Sequence, residues 1–151
     1  MINLEVITVV EASPGACFDL SRDLDFHKES FGHTDESIVG GKTSGLIGLN
    51  EEVTWRARHF GFHHEHTARI TILEPPRHFR DEMIRGRFSS FVHDHYFEPV
   101  PTGTRMRDVV EFQAPMGFLG RVVEALVLKR YMQRLIASRS EAIRVRVESE
   151  C

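Results

Sequence analysis

The sequence predicts an α+β fold in which a curved antiparallel sheet of about seven strands wraps around a long C-terminal helix, with two short helices after strand 1. Three observations predict this fold. Residues 35–113 alternate between apolar and polar side chains and are broken by turn residues. Signals for two short helices follow the first strand, and the apolar period lengthens to three and four residues near the C-terminus.

The first strand and the two short helices come from residues 2–31. One side of the strand carries Ile2, Leu4, Val6, Thr8 and Val10. This pattern indicates an edge strand or a curved strand. Ser13 is a typical N-cap and Pro14 a typical first helical residue, and the Asp- and Ser-rich segment that follows favours two short helices over one long helix.

Closely spaced turns divide residues 35–113 into long strands. Gly61, the prolines at 75–76, Gly86 and the PVPTGT segment at 99–104 mark the turns. Short connections between long strands favour an antiparallel meander.

The C-terminal segment predicts one helix of about 25 to 30 residues. Its inner stripe contains Leu128, Met132, Leu135, Ile136, Arg139 and Ile143. One stripe of this kind packs a helix onto a sheet.

Composition excludes several classes of protein. The net charge of -3 gives little reason to bind nucleic acid, and no apolar run reaches the roughly 20 residues that cross a bilayer. The N-terminus lacks the features of a signal peptide, so we expect a single cytoplasmic domain over residues 1–151. Cys17 and Cys151 have no CxxC spacing, and GGKTSG at 40–45 lacks the spacing of a phosphate loop. We therefore expect no cofactor, and the sequence does not indicate an oligomeric state.

The order of the elements is the helix-grip layout, and the chain resembles the START-like superfamily, also called SRPBCC. The resemblance is to its small bacterial polyketide cyclase/dehydrase-like members and rests on F-x-D-E, H-x-H-x-F and G-T-x-(M/L)-x-D-x-V patterns. The residues that carry the resemblance are Phe79, Asp81, Glu82, Gly86, Phe88, His93, His95, Phe97, Gly103, Thr104, Met106, Asp108, Val110, Phe112, Pro115 and Gly117. The resemblance implies a hydrophobic cavity between sheet and helix, and it implies no single activity.

Large apolar side chains on the concave face and the helix stripe are the candidate ligand contacts. They are Trp55, Phe62, Phe79, Met83, Phe91, Phe97, Met106, Phe112, Met132 and Leu135. The same side chains could simply fill a core. If they bind a ligand, it is a small hydrophobic or amphipathic molecule such as a lipid, a quinone or a polyketide-like aromatic, held by a carrier or sensor.

Four titratable residues share the predicted inner face: His93, His95, Asp108 and Asp81. Three interpretations stay open: a buried polar network, a catalytic acid/base pair of a cyclase or dehydratase, or a metal site. Of these we favour the polar network and assign no metal ligand. The HFGFHHEH segment at 59–66 is interpreted as a solvated hairpin.

Overall fold

The computed structural model of the chain describes residues 1–30, 35–114 and 121–150, except for the side chains of 121–125. This part of the chain forms seven strands and three helices. They are β1 Ile2–Val10, α1 Pro14–Ser21, α2 Leu24–Ser30, β2 Ser37–Gly41, β3 Glu52–His59, β4 Phe62–Glu74, β5 His78–Arg85, β6 Ser90–Val100, β7 Gly103–Gln113 and α3 Arg121–Ser149. Pro115, Gly117 and Cys151, which the sequence analysis named, lie outside the described residues.

The seven strands form one antiparallel sheet in the order β1-β7-β6-β5-β4-β3-β2. Strands β2 to β7 follow one another as a meander, and β1 pairs with β7. The prediction of a meander with β1 at an edge is confirmed. The sheet, the two short helices and the 29-residue α3 together are the predicted helix-grip fold.

Side-chain caps begin both short helices. The Ser13 hydroxyl accepts a hydrogen bond from the amide of Ala16 at 3.2 Å, and Pro14 opens α1 as predicted. The Asp23 carboxylate accepts from the amides of Asp25 and Phe26 at 3.0 and 3.1 Å, which starts α2 as a separate helix. The second cap explains why this segment forms two helices.

The C-terminal half of α3 packs against the sheet and α1. Ile143 and Val147, near its C-terminal end, are buried in a cluster with residues of α1, β6 and β7. Within that cluster the Phe18 ring meets the rings of Phe79 and Phe97 edge-on at 5.5 and 5.4 Å. The sheet and helices are therefore closely packed at this end.

Among the described residues, α3 included, no helix is long and apolar enough to cross a membrane.

The tight turn at Gly103 provides a test of the packing between the β6–β7 hairpin and the end of β1. Gly103 has a φ of 149°, and an added Cβ would overlap the carbonyl oxygen of Val10. We expect Gly103→Ala to lower the free energy of unfolding by about 2 to 3 kcal/mol. Gly15→Ala is the control, because Gly15 lies in α1 and an added Cβ there would meet no atom within 4 Å. Urea unfolding measures the free energy of unfolding of wild type and of both variants. A Gly103→Ala variant as stable as wild type would contradict the prediction.

Candidate functional site

A cavity of about 770 Å³ lies between the concave face of the sheet and the N-terminal half of α3. Its wall is mostly apolar, with side chains from β3, β4, β5, β6, α2 and α3. Phe60, Phe62 and Val127 line the cavity and are also exposed, so they mark its mouth. Arg139 is the last residue of α3 that lines the cavity, which places it at the inner end.

Six of the ten predicted ligand contacts line this cavity. They are Trp55, Phe62, Phe79, Phe91, Met132 and Leu135. Period-two alternation on the strands and the stripe on α3 found these residues because the wall consists of one sheet face and one helix face.

The other four predicted contacts do not line it, which corrects the sequence analysis. Phe97 and Met106 lie on the concave face, but Phe18 of α1 covers this end of the sheet in the same cluster. Phe112 is fully buried in a second cluster, and Met83 packs against that cluster. A strand pattern shows which face a residue occupies, and it does not show whether another element fills the space above it.

The four predicted titratable residues do meet, in a network across β5, β6, β7 and α3. The Nε2 of His93 lies 2.9 Å from Asp108 Oδ1, and the Nε2 of His95 lies 2.7 Å from Asp81 Oδ2. The Nδ1 of His95 lies 3.3 Å from Asp108 Oδ1, so His95 bridges the two carboxylates. Ser140 of α3 donates to Asp108 Oδ2 at 3.1 Å.

The network lies between the two apolar clusters. The His95 ring stacks on Phe79 of the first cluster at 4.0 Å and on His93 at 3.7 Å. His93 pairs in register with Val110 of the second cluster. Asp81 and His93 also line the cavity, whereas His95 and Asp108 lie behind them beside a chamber of about 10 Å³ that has room for one water molecule.

Burial and hydrogen bonds set opposite charge states for the two histidines. Burial, and then the positive charge of His95, lower the pKa of His93, which stays neutral and donates from Nε2 to Asp108. Burial also opposes a charge on His95, but the hydrogen bonds to Asp108 and Asp81 outweigh it and raise the pKa of His95. His95 is therefore the cation of the network.

Both carboxylates remain ionised. Burial works to raise the pKa of Asp81 and of Asp108, but hydrogen bonds from the histidines hold both well below the usual range. The network thus carries two negative charges and one positive charge, and the charge of Arg139 also acts on Asp81.

A second polar group in the cavity wall was missed by the sequence analysis. The Nε2 of His27 in α2 lies 2.7 Å from the carboxylate of Glu36, and the His27 ring stacks on Trp55 at 4.1 Å. Burial, and then the charge of Arg139, lower the pKa of His27. His27 lies on α2, Glu36 in the segment before β2 and Trp55 on β3, so no local pattern could have joined them.

The histidines of the β3–β4 hairpin are not simply solvated, which corrects a further interpretation. His59, His64 and His66 line the cavity near its mouth. His59 forms a hydrogen bond with the hydroxyl of Tyr131 on α3, and Arg87 donates to Nδ1 of His64 at 2.9 Å. The positive φ angles of Phe60 and Gly61 make the tight turn that holds this hairpin over α3.

Asp81, His93 and His95 could also provide one metal-ligand atom each, since the three atoms lie within 4.8 Å of one another. Two imidazoles and a carboxylate suit a divalent transition metal. In the arrangement described above, however, both nitrogens of His95 bind carboxylates. The expectation that these residues hold no metal ion stays a prediction.

An open antiparallel sheet wrapped around one long helix, with an apolar cavity between them, defines a helix-grip protein of the START-like class. Residues 10–137 match the model of the family described as "Polyketide cyclase / dehydrase and lipid transport", and the chain belongs to this family. No curated protein sequence matches the chain.

Solved structures with the same fold share little sequence with the chain. The protein TTHA0849 from Thermus thermophilus is 18% identical, with a TM-score of 0.80 and 99% of each chain covered. The Zhui aromatase/cyclase from a Streptomyces species is 13% identical, with a TM-score of 0.76, over 97% of this chain and 93% of that one. A START superfamily protein from Mycobacterium smegmatis is 12% identical, with a TM-score of 0.74, over 99% of both chains. At these identities the likeness concerns the fold alone.

The lowered histidine pKa values predict how stability changes with pH. Burial lowers the pKa of His93, His27 and His66, so below about pH 6.5 the unfolded chain binds protons there that the folded chain does not. The free energy of unfolding should therefore fall as the pH drops from about 6.5 to about 5.5. His95 has a raised pKa and acts in the other direction. Its contribution to the free energy of unfolding is fully present below about pH 6.5 and is lost as the pH rises through the pKa of the folded state.

Urea unfolding at several pH values measures this dependence. His93→Gln should lose less stability than wild type over the same pH interval, because one neutral buried imidazole is gone. His63→Gln, at an exposed position on β4, is the control and should parallel wild type. A His93→Gln slope equal to that of wild type would show that His93 does not contribute.

Proposed function

We propose that the protein binds a small hydrophobic or amphipathic molecule in the cavity between sheet and α3, as a carrier or sensor. The observation that carries the proposal is the cavity itself. Its volume of about 770 Å³ lies within the range of roughly 300 to 1,000 Å³ that is typical of small-molecule sites. The family description, which includes lipid transport, supports the same function.

The wall suits a ligand with an apolar body. Trp55, Ile70, Phe79 and Leu135 offer aromatic and aliphatic surfaces from both sides of the cavity. Burial of apolar surface contributes about 25 cal/mol per Å², so a ligand the size of a fused-ring aromatic or a short lipid would gain enough to bind in the micromolar range. Polar side chains form the smaller part of the wall surface and would orient the ligand.

Filling the cavity should abolish binding without disturbing the fold. Ala57 of β3 is buried in the cavity wall, and Ala57→Phe places a ring where the ligand would lie. We expect wild type to bind an apolar ligand with a Kd on the order of 1 to 100 μM and Ala57→Phe to bind at least about tenfold more weakly. Trp55 is the only tryptophan and lines the cavity, so its fluorescence reports binding directly.

The control for this experiment is Ala137→Phe, because Ala137 lies on the exposed face of α3. It adds the same side chain outside the cavity and should bind as wild type does. The absence of saturable binding of every lipid and aromatic ligand tested in wild type would rule out the proposed function. Mass spectrometry of extracts from the purified protein would identify a bound molecule.

A second candidate function is a cyclase- or dehydratase-type enzyme that acts in the same cavity. The observation in its favour is that Asp81 and His93 line the cavity while His95 and Asp108 hold them from behind. A carboxylate and an imidazole in one wall can move a proton on a bound carbonyl compound. One structural neighbour is named an aromatase/cyclase, which belongs to this class of reaction.

Asp108→Asn separates the two functions. If the network is structural, the variant loses about 1 to 3 kcal/mol of stability, keeps its ligand affinity and shows no turnover, as wild type does. We expect this result. If the pair is catalytic, wild type turns over a substrate from a panel of aromatic and polyketide-like compounds, and Asp108→Asn slows the reaction by roughly 100-fold or more. Glu111→Gln is the control, since Glu111 is exposed on the same strand.

A further inference from the structure

Arg139 is a charged residue in the otherwise apolar inner stripe of α3. It lies between Ile136 and Ile143, both of which are buried. It lines the inner end of the large cavity and also borders the small chamber behind the network. A partly buried guanidinium in this position requires acceptors for its N–H groups.

Only one acceptor for Arg139 is found among residues 1–30, 35–114 and 121–150. Its Nη2 donates to the carbonyl oxygen of Ser21, the last residue of α1, at 2.8 Å. No carboxylate whose side chain the structure describes forms a salt bridge with Arg139; the side chain of Glu124 is not among those described. Glu124 precedes Arg139 by 15 residues along α3, about 22 Å at 1.5 Å per residue.

The remaining donors of Arg139 face open space. The buried polar atoms without a partner in the described residues include Nε of Arg22 but no atom of Arg139. Since Arg139 lines the cavity, its unused N–H groups are accessible from the cavity. The Ser21 carbonyl fixes one edge of the guanidinium, and the rest of it can donate to a ligand.

Charge balance decides which ligand oxygen fits there. Asp81 and Asp108 are anionic, and His95 and Arg139 offset their two negative charges. Glu36 adds another carboxylate to the wall, bound to His27, which burial keeps neutral. A ligand carboxylate would add one more negative charge to a low-dielectric cavity, whereas an uncharged carbonyl oxygen accepts a hydrogen bond without adding charge.

We propose that Arg139 anchors an uncharged ligand through a carbonyl oxygen, as in a ketone, a quinone or an ester, at the inner end of the cavity. The apolar body of the ligand extends from Arg139 toward the mouth at Phe60, Phe62 and Val127. This inference rests on the proposed function, because it names the class of ligand that the same cavity takes.

Three dyes with one ring system test the proposal. Prodan is a neutral naphthalene ketone whose emission moves to longer wavelength when its carbonyl accepts a hydrogen bond. Its analogue with a methylene group in place of the carbonyl keeps the apolar body, and its analogue with a carboxylate in place of the ketone carries a negative charge. In wild type we expect the ketone to bind about tenfold to a hundredfold more tightly than the methylene analogue and more tightly than the carboxylate.

Arg139→Met removes the donors and keeps a side chain of similar length. It should bind prodan and the methylene analogue with equal affinity, and the emission of bound prodan should move to shorter wavelength. Arg134→Met, at an exposed position on the same helix, should keep the wild-type preference for prodan and the wild-type emission of bound prodan. Arg139→Lys keeps the positive charge near Asp81, and its preference for prodan over the methylene analogue should lie between those of wild type and Arg139→Met. This variant provides the test if Arg139→Met does not fold.

Three results would overturn the assignment of Arg139 while leaving the cavity as a binding site. One is equal affinity of wild type for the ketone and its methylene analogue, and another is a carboxylate that binds more tightly than the ketone. The third is an Arg139 variant that weakens both neutral dyes equally, which would limit Arg139 to support of the wall. If wild type binds none of the dyes while Trp55 fluorescence also detects no other ligand, the proposed function fails and this inference fails with it.

Discussion

One carboxylate on each side of β6 needs compensating charge inside this small domain, and His95 of β6 supplies it to both. Asp81 on β5 and Asp108 on β7 lie on either side of β6, and each binds one nitrogen of the same imidazole. Removing one partner of a buried ion pair leaves an uncompensated charge. The stability lost in this way is much larger than the net stability that the intact pair provides. Strands β5, β6 and β7 therefore have one favourable register, and Ser140 connects α3 to this network.

The cavity follows from where this network lies along α3. C-terminal to Ser140, α3 is fixed by Ile143 and Val147 against α1 and the end of the sheet. N-terminal to it, α3 faces Trp55, Phe79 and the other wall residues across open space. The interior is thus divided into a packed end and an open end, with Asp81, His93 and Arg139 at the boundary. This arrangement gives the cavity an apolar wall and a polar inner end, which suits an amphipathic ligand held in one orientation.

Much of the fold could be predicted from the sequence, because each element depends on local rules. Alternation with period two gave the strands, the stripe on α3 gave its length and inner face, and Ser13 and Pro14 gave the start of α1. The same rules placed Asp81, His93, His95 and Asp108 on one face. Side chains on the same face of adjacent antiparallel strands lie close together, so local pattern was sufficient to predict that these four would meet.

The tertiary structure alone decided which partner each of these groups takes and which side chains face the cavity. Phe97 and Met106 satisfy the same alternation as Phe79 and Phe91, yet α1 covers them, because Phe18 packs there from a distant part of the sequence. His27 of α2, Glu36 of the segment before β2 and Arg139 of α3 also line the cavity, and no sequence pattern links these three parts of the chain. Periodicity is a property of one element and fixes the direction of its side chains. The space above a side chain, and the charge beside it, depend on how other elements pack, and this packing is absent from any local stretch of sequence.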